Sequence, residues 1–468
     1  MSWHTDCLRR RLETTRAEIE RVAKKDHPGT TARLLFKGLS FIAERLLKRL
    51  HGFELEEAES SEKVEDLSNP LTQDIIKLGN VFSHVSRVDS ARIPFELVPA
   101  LAWACSDLLN RNCQVLLRLS DQGYSIIRLE DLLRPRLWHD WDERFLKEFS
   151  KQQEKAPSDQ HARIDLQDLD IVIVGIPTTD ARSILLHALI AHELGHEIYN
   201  SVDATKTAAF KAHVERAVKE KFPTAADKPN VVQGVLDSKP TEYLGRRHVG
   251  WLCELFADMV AARLLGPPYL AAAGRIFLGA DAVASDTHPH VQMRREAVCY
   301  YLKHGGKGAY KWTLEHPLFA VAVTAADASQ APIDERYVAA ADVCRTCFPQ
   351  MAALVDQTVT IDVLSDEVKY ETAYDHIATA FNHLSPVPPE VHDAHNGSSA
   401  MFWLMLSCAW TLRFDETRFG KFKTKFAENG DATESEAEHR LDNLLLHSLR
   451  SAEIRHRYKA SVTAGVKK

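Results

Sequence analysis

The stretch Ser183–Ser201, SILLHALIAHELGHEIYNS, constrains this chain more than any other. Within it His192, Glu193 and His196 form H-E-x-x-H. A helix advances about 100° per residue, so side chains four apart lie about 40° apart on one face. Both imidazoles can then reach one metal ion, with Glu193 beside them to take a proton from a water on that ion. Ile184, Leu185, Ala188, Leu189 and Ile190 supply an apolar lead-in without Gly or Pro. Gly195 weakens the helix somewhat, and its missing side chain lets other backbone come close.

With 22 His among 468 residues, a chance match is expected on the order of once in ten chains of this make-up. The motif therefore needs support elsewhere. A catalytic zinc requires a third protein ligand and one open position. The segment Trp251–Leu265, WLCELFADMVAARLL, offers Glu254 and, four residues on and on the same face, Asp258. Glu254 suits the third ligand. Asp258 suits accepting the spare N–H of a ligating histidine, which fixes its tautomer and raises its basicity. Two carboxylates on an otherwise apolar helix are costly to bury without partners, and that cost argues for a cation.

H-E-x-x-H followed by E-x-x-A-D resembles the signature of the gluzincin zinc metallopeptidases. Thr287-His288-Pro289-His290-Val291-Gln292-Met293-Arg294, which reads T-H-P-x-x-x-x-R, is similar to the CAAX-prenyl-protease and heat-shock-protease-X branch. The three motifs fall in that order within residues 170–300. The resemblance implies that His192, His196 and Glu254 bind zinc, that Glu193 is the general base and that Asp258 orients a ligand histidine. It places His288 and Arg294 at the cleft, stabilising the tetrahedral intermediate or tying the site together. Many members of that branch carry membrane-spanning helices or a signal peptide, and this sequence shows neither. Prenylated peptides therefore do not carry over as substrates.

Composition narrows the setting. A formal net charge of −7 lacks the basic excess of a nucleic-acid footprint. The longest apolar runs, Leu97–Cys105, Ile171–Ile176 and Leu318–Ala325, fall far short of the roughly 20 residues of a membrane span. The first residues are charged and lack an apolar core with a cleavage site, so a cytoplasmic location is expected. Eight scattered cysteines, including a lone C-x-x-C at Cys344 and Cys347, read as buried thiols.

Along the chain, helices are expected over 3–25 and 30–50, an acidic mobile linker over 54–66, and helix again around 70–111. Residues 114–119 and 124–129 read as a β-hairpin about Asp121-Gln122-Gly123. An amphipathic helix over 138–151 and a polar linker lead to the strand Asp170–Ile176, with Thr178, Thr179 or Asp180 capping the motif helix. Further helices are expected over 202–221 and 248–265, the second ended by Gly266-Pro267-Pro268. From 310 onward the pattern is helix after helix.

The expected architecture is mostly α with a small β-sheet: an N-terminal helical region over 1–160, a zincin-like metallopeptidase core over 161–310 and a C-terminal helical region over 311–468. The expected activity is that of a soluble zinc-dependent endopeptidase on peptide or protein substrates, with strand 170–176 as the edge on which substrate pairs. Two alternatives stay open: a latent peptidase fold serving as a zinc-binding scaffold, and an exopeptidase. Among other histidines, His187 points away from the motif face, His248 is a weaker ligand candidate on the Glu254 helix, and His290 reads as a rim residue. Tyr199 and Tyr243 are equal candidates for an oxyanion hydrogen bond.

Overall fold

Apolar residues at helical spacing organise the first 85 positions into α1 (Trp3–Ala23), α2 (Thr30–Glu59) and α3 (Val64–Val85). Leu8, Leu12 and Ile19, then Leu35, Leu39, Ile42 and Leu46, then Leu71, Ile75 and Leu78 meet in one core. The computed structural model describes residues 3–24, 30–59, 64–86, 93–94, 96–121, 123–133, 137–139, 141, 145, 147, 169–223, 241–243, 246–248, 250–276, 288–327, 333, 335–388, 391, 398–426 and 432–466. The chain forms two units from interleaved stretches: residues 1–98 with 111–178, and residues 99–110 with 179–468. The whole is mostly helical with a small mixed sheet.

In the first unit, β1 (Asn112–Ser120), β2 (Ser125–Arg128) and β3 (Leu169–Pro177) form a sheet ordered β1-β3-β2. Leu116, Ile127, Ile171 and Ile173 join the core of the three helices. The expected hairpin is corrected. Both strands exist, yet they do not pair with each other, because β3 lies between them, parallel to β1 and antiparallel to β2. The near-continuous apolar run of β3 is the pattern of a strand buried on both faces, which favours a central place. With β1 along its whole length on one side and β2 along Val172–Gly175 on the other, β3 is the central strand and not the sheet edge expected above. The linker expected over 54–66 is also corrected: α2 continues to Glu59 and α3 begins at Val64, Glu, Leu and Ala being strong helix formers. The linker after residue 151, and nearly all of the helix expected over 138–151, lie outside the described residues.

The second unit holds most of α4 (Leu97–Leu109), then α5 (Ile190–Ser201), α6 (Ala204–Lys221), α7 (Trp251–Leu265), α8 (Pro268–Ile276), α9 (Val291–His304), α10 (Glu335–Thr358), α11 (Glu367–Asn382), α12 (Ser398–Phe414), α13 (Glu416–Phe426) and α14 (Glu434–Val466). All fifteen residues of α7 are buried. A helix buried all round has to sit inside other helices, and α5, α9, α10 and α12 all pack on it. Gly266, at φ +67°, ends α7 in the left-handed conformation that favours glycine. His248 is in a short strand, Arg246–His248, paired with Thr241–Tyr243, and so is not on the Glu254 helix. None of the eight cysteines is in a disulfide. Among the described residues no helix is long and apolar enough to cross a membrane.

The motif helix begins differently from expectation. Ile184–Leu189 is a 3₁₀ segment, and its N-cap Ser183 makes no side-chain cap. Asp442 of α14 serves instead, its Oδ1 accepting the Leu185 N–H at 3.0 Å, while Trp410 Nε1 of α12 donates to the Leu185 carbonyl at 2.8 Å. Thr178, Thr179 and Asp180 are displaced from that role by a residue 257 positions away. Burial, reinforced by Glu438, pushes the Asp442 carboxyl up to about 7 against the pull of the Leu185 and Ile184 N–H groups and Arg275. A carboxyl whose pKa is higher folded than unfolded stabilises the fold most below about pH 4, and that contribution is lost as pH rises through about 7. Asp442→Asn keeps an acceptor for Leu185 and cannot ionise. Its melting temperature relative to the parent should climb between pH 5 and pH 8, and a pH-independent difference would show that Asp442 does not titrate in this window.

Candidate metal centre

Two helices cross where neither has a side chain in the way. A Cβ built on Gly195 of α5 would lie 2.6 Å from Ala257 Cα and 2.9 Å from Ala257 Cβ of α7. Real Cβ atoms do not approach backbone this closely, so only glycine lets α5 lie this near α7. The crossing sets His192 and His196, on either side of Gly195, against Glu254 and Asp258, on either side of Ala257.

The donor atoms converge. His192 Nε2 and His196 Nε2 are 3.0 Å apart. Glu254 Oε2 is 3.3 Å from His192 Nε2, and Glu254 Oε1 is 3.3 Å from His196 Nε2. Zinc held tetrahedrally at the usual 2.0–2.1 Å separates its ligand atoms by about 3.3 Å, so this triangle is the right size. Glu254 Oε2 is buried and makes no hydrogen bond among the described residues. A buried carboxylate set at ligand spacing from two imidazole nitrogens is an arrangement a divalent cation can complete. Glu193 is half-buried, with a carboxylate oxygen within 4.8 Å of the ligand nitrogens of both histidines.

Behind the triangle, Asp258 is 1% exposed and fully occupied. Arg294 grips it as a fork, Nε to Oδ2 and Nη2 to Oδ1, both at 2.7 Å. The Tyr269 hydroxyl donates to Oδ1 at 2.5 Å, and His192 Nδ1 lies 2.9 Å from the same oxygen. Arg294 is itself buried, with Nη2 3.7 Å from Glu254 Oε2. Its guanidinium links Asp258 to the neighbourhood of Glu254 behind His192. His288 is the opposite case. It is 46% exposed, on the accessible side, with Nε2 3.7 Å from Glu254 Oε1.

Electrostatics divide the two imidazoles. Burial opposes charge on His192, but Asp258 and Glu254 overcome it and raise the pKa to about 9. At His196 burial prevails, helped by the charges of His192 and Arg294 against Glu254, and the pKa falls to about 4. Despite its burial, Glu254 is held well below the usual carboxylate range by His196, His192 and Arg294. Without metal the protonated His192 faces a neutral His196. A cation taking both Nε2 atoms displaces that proton.

Other residues fall into place around this centre. His187 is fully buried and driven down to about 3 by desolvation, a structural side chain as expected. His290 is corrected from rim to cap: it is buried, and its Nδ1 accepts the Gln292 N–H at the start of α9. Tyr199 packs against Phe256 with ring centroids 5.2 Å apart; the Tyr243 side chain lies outside the description. Two participants were not legible in the motifs. Tyr269 lies past a Gly-Pro-Pro break at no recognisable spacing, and Cys253, a buried thiol as expected, has its Sγ 3.1 Å from His196 Nδ1. Burial, with Glu254, Glu197 and Glu193 adding, pushes the Cys253 thiol well up, so it is neutral.

A second trio, His316, Glu367 and Glu371, also gathers metal-type donors. There His316 Nδ1 accepts the Leu318 N–H at 3.3 Å, so Nε2 carries the proton and donates to Glu371 at 2.9 Å. While Nδ1 accepts that bond, the neutral ring keeps its proton on Nε2, and a metal there would have to break the cap. That trio is a hydrogen-bonded helix cap.

No protein-family model, curated protein or solved structure matches this chain.

The close crossing gives a test with a definite sign. Helix propensity alone predicts that Gly195→Ala gains about 1 kcal/mol. Overpacking against Ala257 costs about 1–3 kcal/mol and parts the helices. The variant should melt lower than the parent and bind zinc more weakly; a higher melting temperature with undiminished zinc would refute the tight crossing.

Proposed function

We propose that this chain is a zinc-dependent endopeptidase of the gluzincin type, acting on peptide or protein substrates in the cytoplasm. One observation carries the reading: His192 Nε2, His196 Nε2 and the incompletely bonded Glu254 carboxylate converge at zinc-ligand spacing, with Glu193 beside them. Zinc bound there would supply a Lewis acid and a water acidified toward neutrality.

The chain's own residues do the rest. His192 and His196 would present Nε2, and Glu254 its carboxylate, as the three protein ligands. Glu193 accepts a proton from the attacking water and hands it to the departing amine nitrogen. Asp258, braced by Arg294 and Tyr269, holds the His192 ring by its Nδ1–H and fixes the tautomer that leaves Nε2 available. His288, on the exposed side, can donate to negative charge developing on the carbonyl oxygen. A retained general base favours turnover over a purely structural metal site, which needs none.

Purified protein should hold about one zinc per chain, since one closed donor triangle is present. His196→Ala should lose most of it. Glu193→Gln should keep zinc and fold while peptide hydrolysis drops by a factor on the order of 10² or more, whereas Glu254→Gln should lose metal. Equal, near-zero zinc in parent and His196→Ala would reject the centre; a Glu193→Gln protein hydrolysing at the parental rate would reject the base.

For His288 the kinetic and structural roles separate cleanly. Acting on the transition state, His288→Ala lowers kcat and leaves zinc content and melting temperature as they were. A loop-pinning histidine would instead lower the melting temperature and spare turnover in the folded fraction, and that result would remove His288 from the mechanism.

A further inference from the structure

The two imidazoles of the centre are held differently on their far sides. His192 has the Asp258 carboxylate at Nδ1, 2.9 Å away, with Arg294 and Tyr269 behind it. Among the described residues His196 has no carboxylate at Nδ1. What faces it is Cys253 Sγ at 3.1 Å, in a residue only 1% exposed. Successive residues of α7 therefore straddle one ring, Cys253 at Nδ1 and Glu254 Oε1 3.3 Å from Nε2. For Nε2 to bind a metal, a neutral imidazole must carry its proton on Nδ1. That N–H points at sulfur, a weak acceptor, and among the described residues the partner of Nδ1 is this thiol.

We propose that Cys253 is a positioning residue, which accepts the His196 Nδ1–H on Sγ and so sets the tautomer and tilt that aim Nε2 at the metal point. The inference rests on the zinc reading above and gives the centre two unequal histidines. His192 is a strongly anchored ligand made electron-rich by a carboxylate. His196 is a loosely anchored one held by a neutral thiol. Partners of this kind are worth 10–100-fold in metal affinity, and a weak acceptor belongs near the lower end.

The test uses the full-length protein and zinc itself, with affinity read by competition against a chelator. Cys253→Ala removes the acceptor and should weaken zinc binding about tenfold, with the melting temperature of the metal-free protein close to the parent's. Cys253→Ser restores an acceptor and should recover most of the loss. Cys253 acting only as core filling predicts the reverse order, since a hydroxyl in an apolar pocket is penalised and a methyl tolerated. A second readout needs no Cys253 variant: ¹⁵N-histidine NMR of the metal-free parent, assigned by the signals lost in His196→Ala, should show His196 as the Nδ1–H tautomer.

Parental zinc affinity in Cys253→Ala, or an Nε2–H tautomer at His196 in the parent, would overturn the proposal while leaving the zinc centre standing. Should Cys253→Ala fail to fold, the tautomer of the parent decides alone. Failure of the zinc reading shows elsewhere, as a parent protein that binds no zinc, and it takes this proposal down with it.

Discussion

The near-contact of Gly195 with Ala257 decides everything the centre can do. Helix pairs separated by ordinary side chains sit about 8–10 Å apart. Here the crossing point carries a hydrogen on one helix and a methyl on the other, and a single added Cβ would sit 2.6 Å from backbone. The ligand residues flank that point on both helices, so their spacing follows from the crossing and needs no adjustment by loops. Overall helix propensity is sacrificed at one position to obtain it.

Burial of α7 then forces an accounting of its three charges. Arg263 is answered by Asp356 at 2.8 Å, the Tyr301 hydroxyl and the Ile361 carbonyl. Asp258 is answered by Arg294, Tyr269 and His192. Glu254 alone keeps an oxygen without a hydrogen bond. The sequence-based argument that two acids on an apolar helix call for a cation is thereby refined: Arg294 is the cation for Asp258, and Glu254 is left as the candidate for a metal. An arginine six residues past His288 could not be assigned to that task from spacing alone, because α9 must first fold back onto α7.

Much of this was legible because it is local. The face shared by His192 and His196, the i, i+4 pair of Glu254 and Asp258, the stop at Gly266 and the predominance of helix all follow from periodicity and from the chemistry of single residues. What escaped is non-local. Strands β1 and β2 look like a hairpin to any reading of neighbours, and only the far more apolar β3, more than forty residues on, separates them. His290 and His248 are exceptions: the His290 cap is local, its Nδ1 accepting the N–H of Gln292 two residues on, and the His248 strand pairs with Thr241 only seven residues back. Cys253 is the buried free thiol that composition identifies, but the ring nitrogen opposite it becomes visible only once α5 and α7 are side by side.

The clasp on Leu185 by Trp410 and Asp442 has a consequence in time as well as in space. The helix that carries His192 and His196 takes its N-terminal anchoring from groups 225 and 257 residues further along the chain. Contacts of such separation close late, because the loop entropy must be met before the contact repays it. On the ribosome, where earlier segments fold first, the motif helix emerges long before its anchors and waits for α12 and α14 to settle its register. Whatever chemistry the centre performs is thus withheld from the growing chain by topology, and a nick or truncation beyond residue 400 would loosen the centre without removing any atom that touches it.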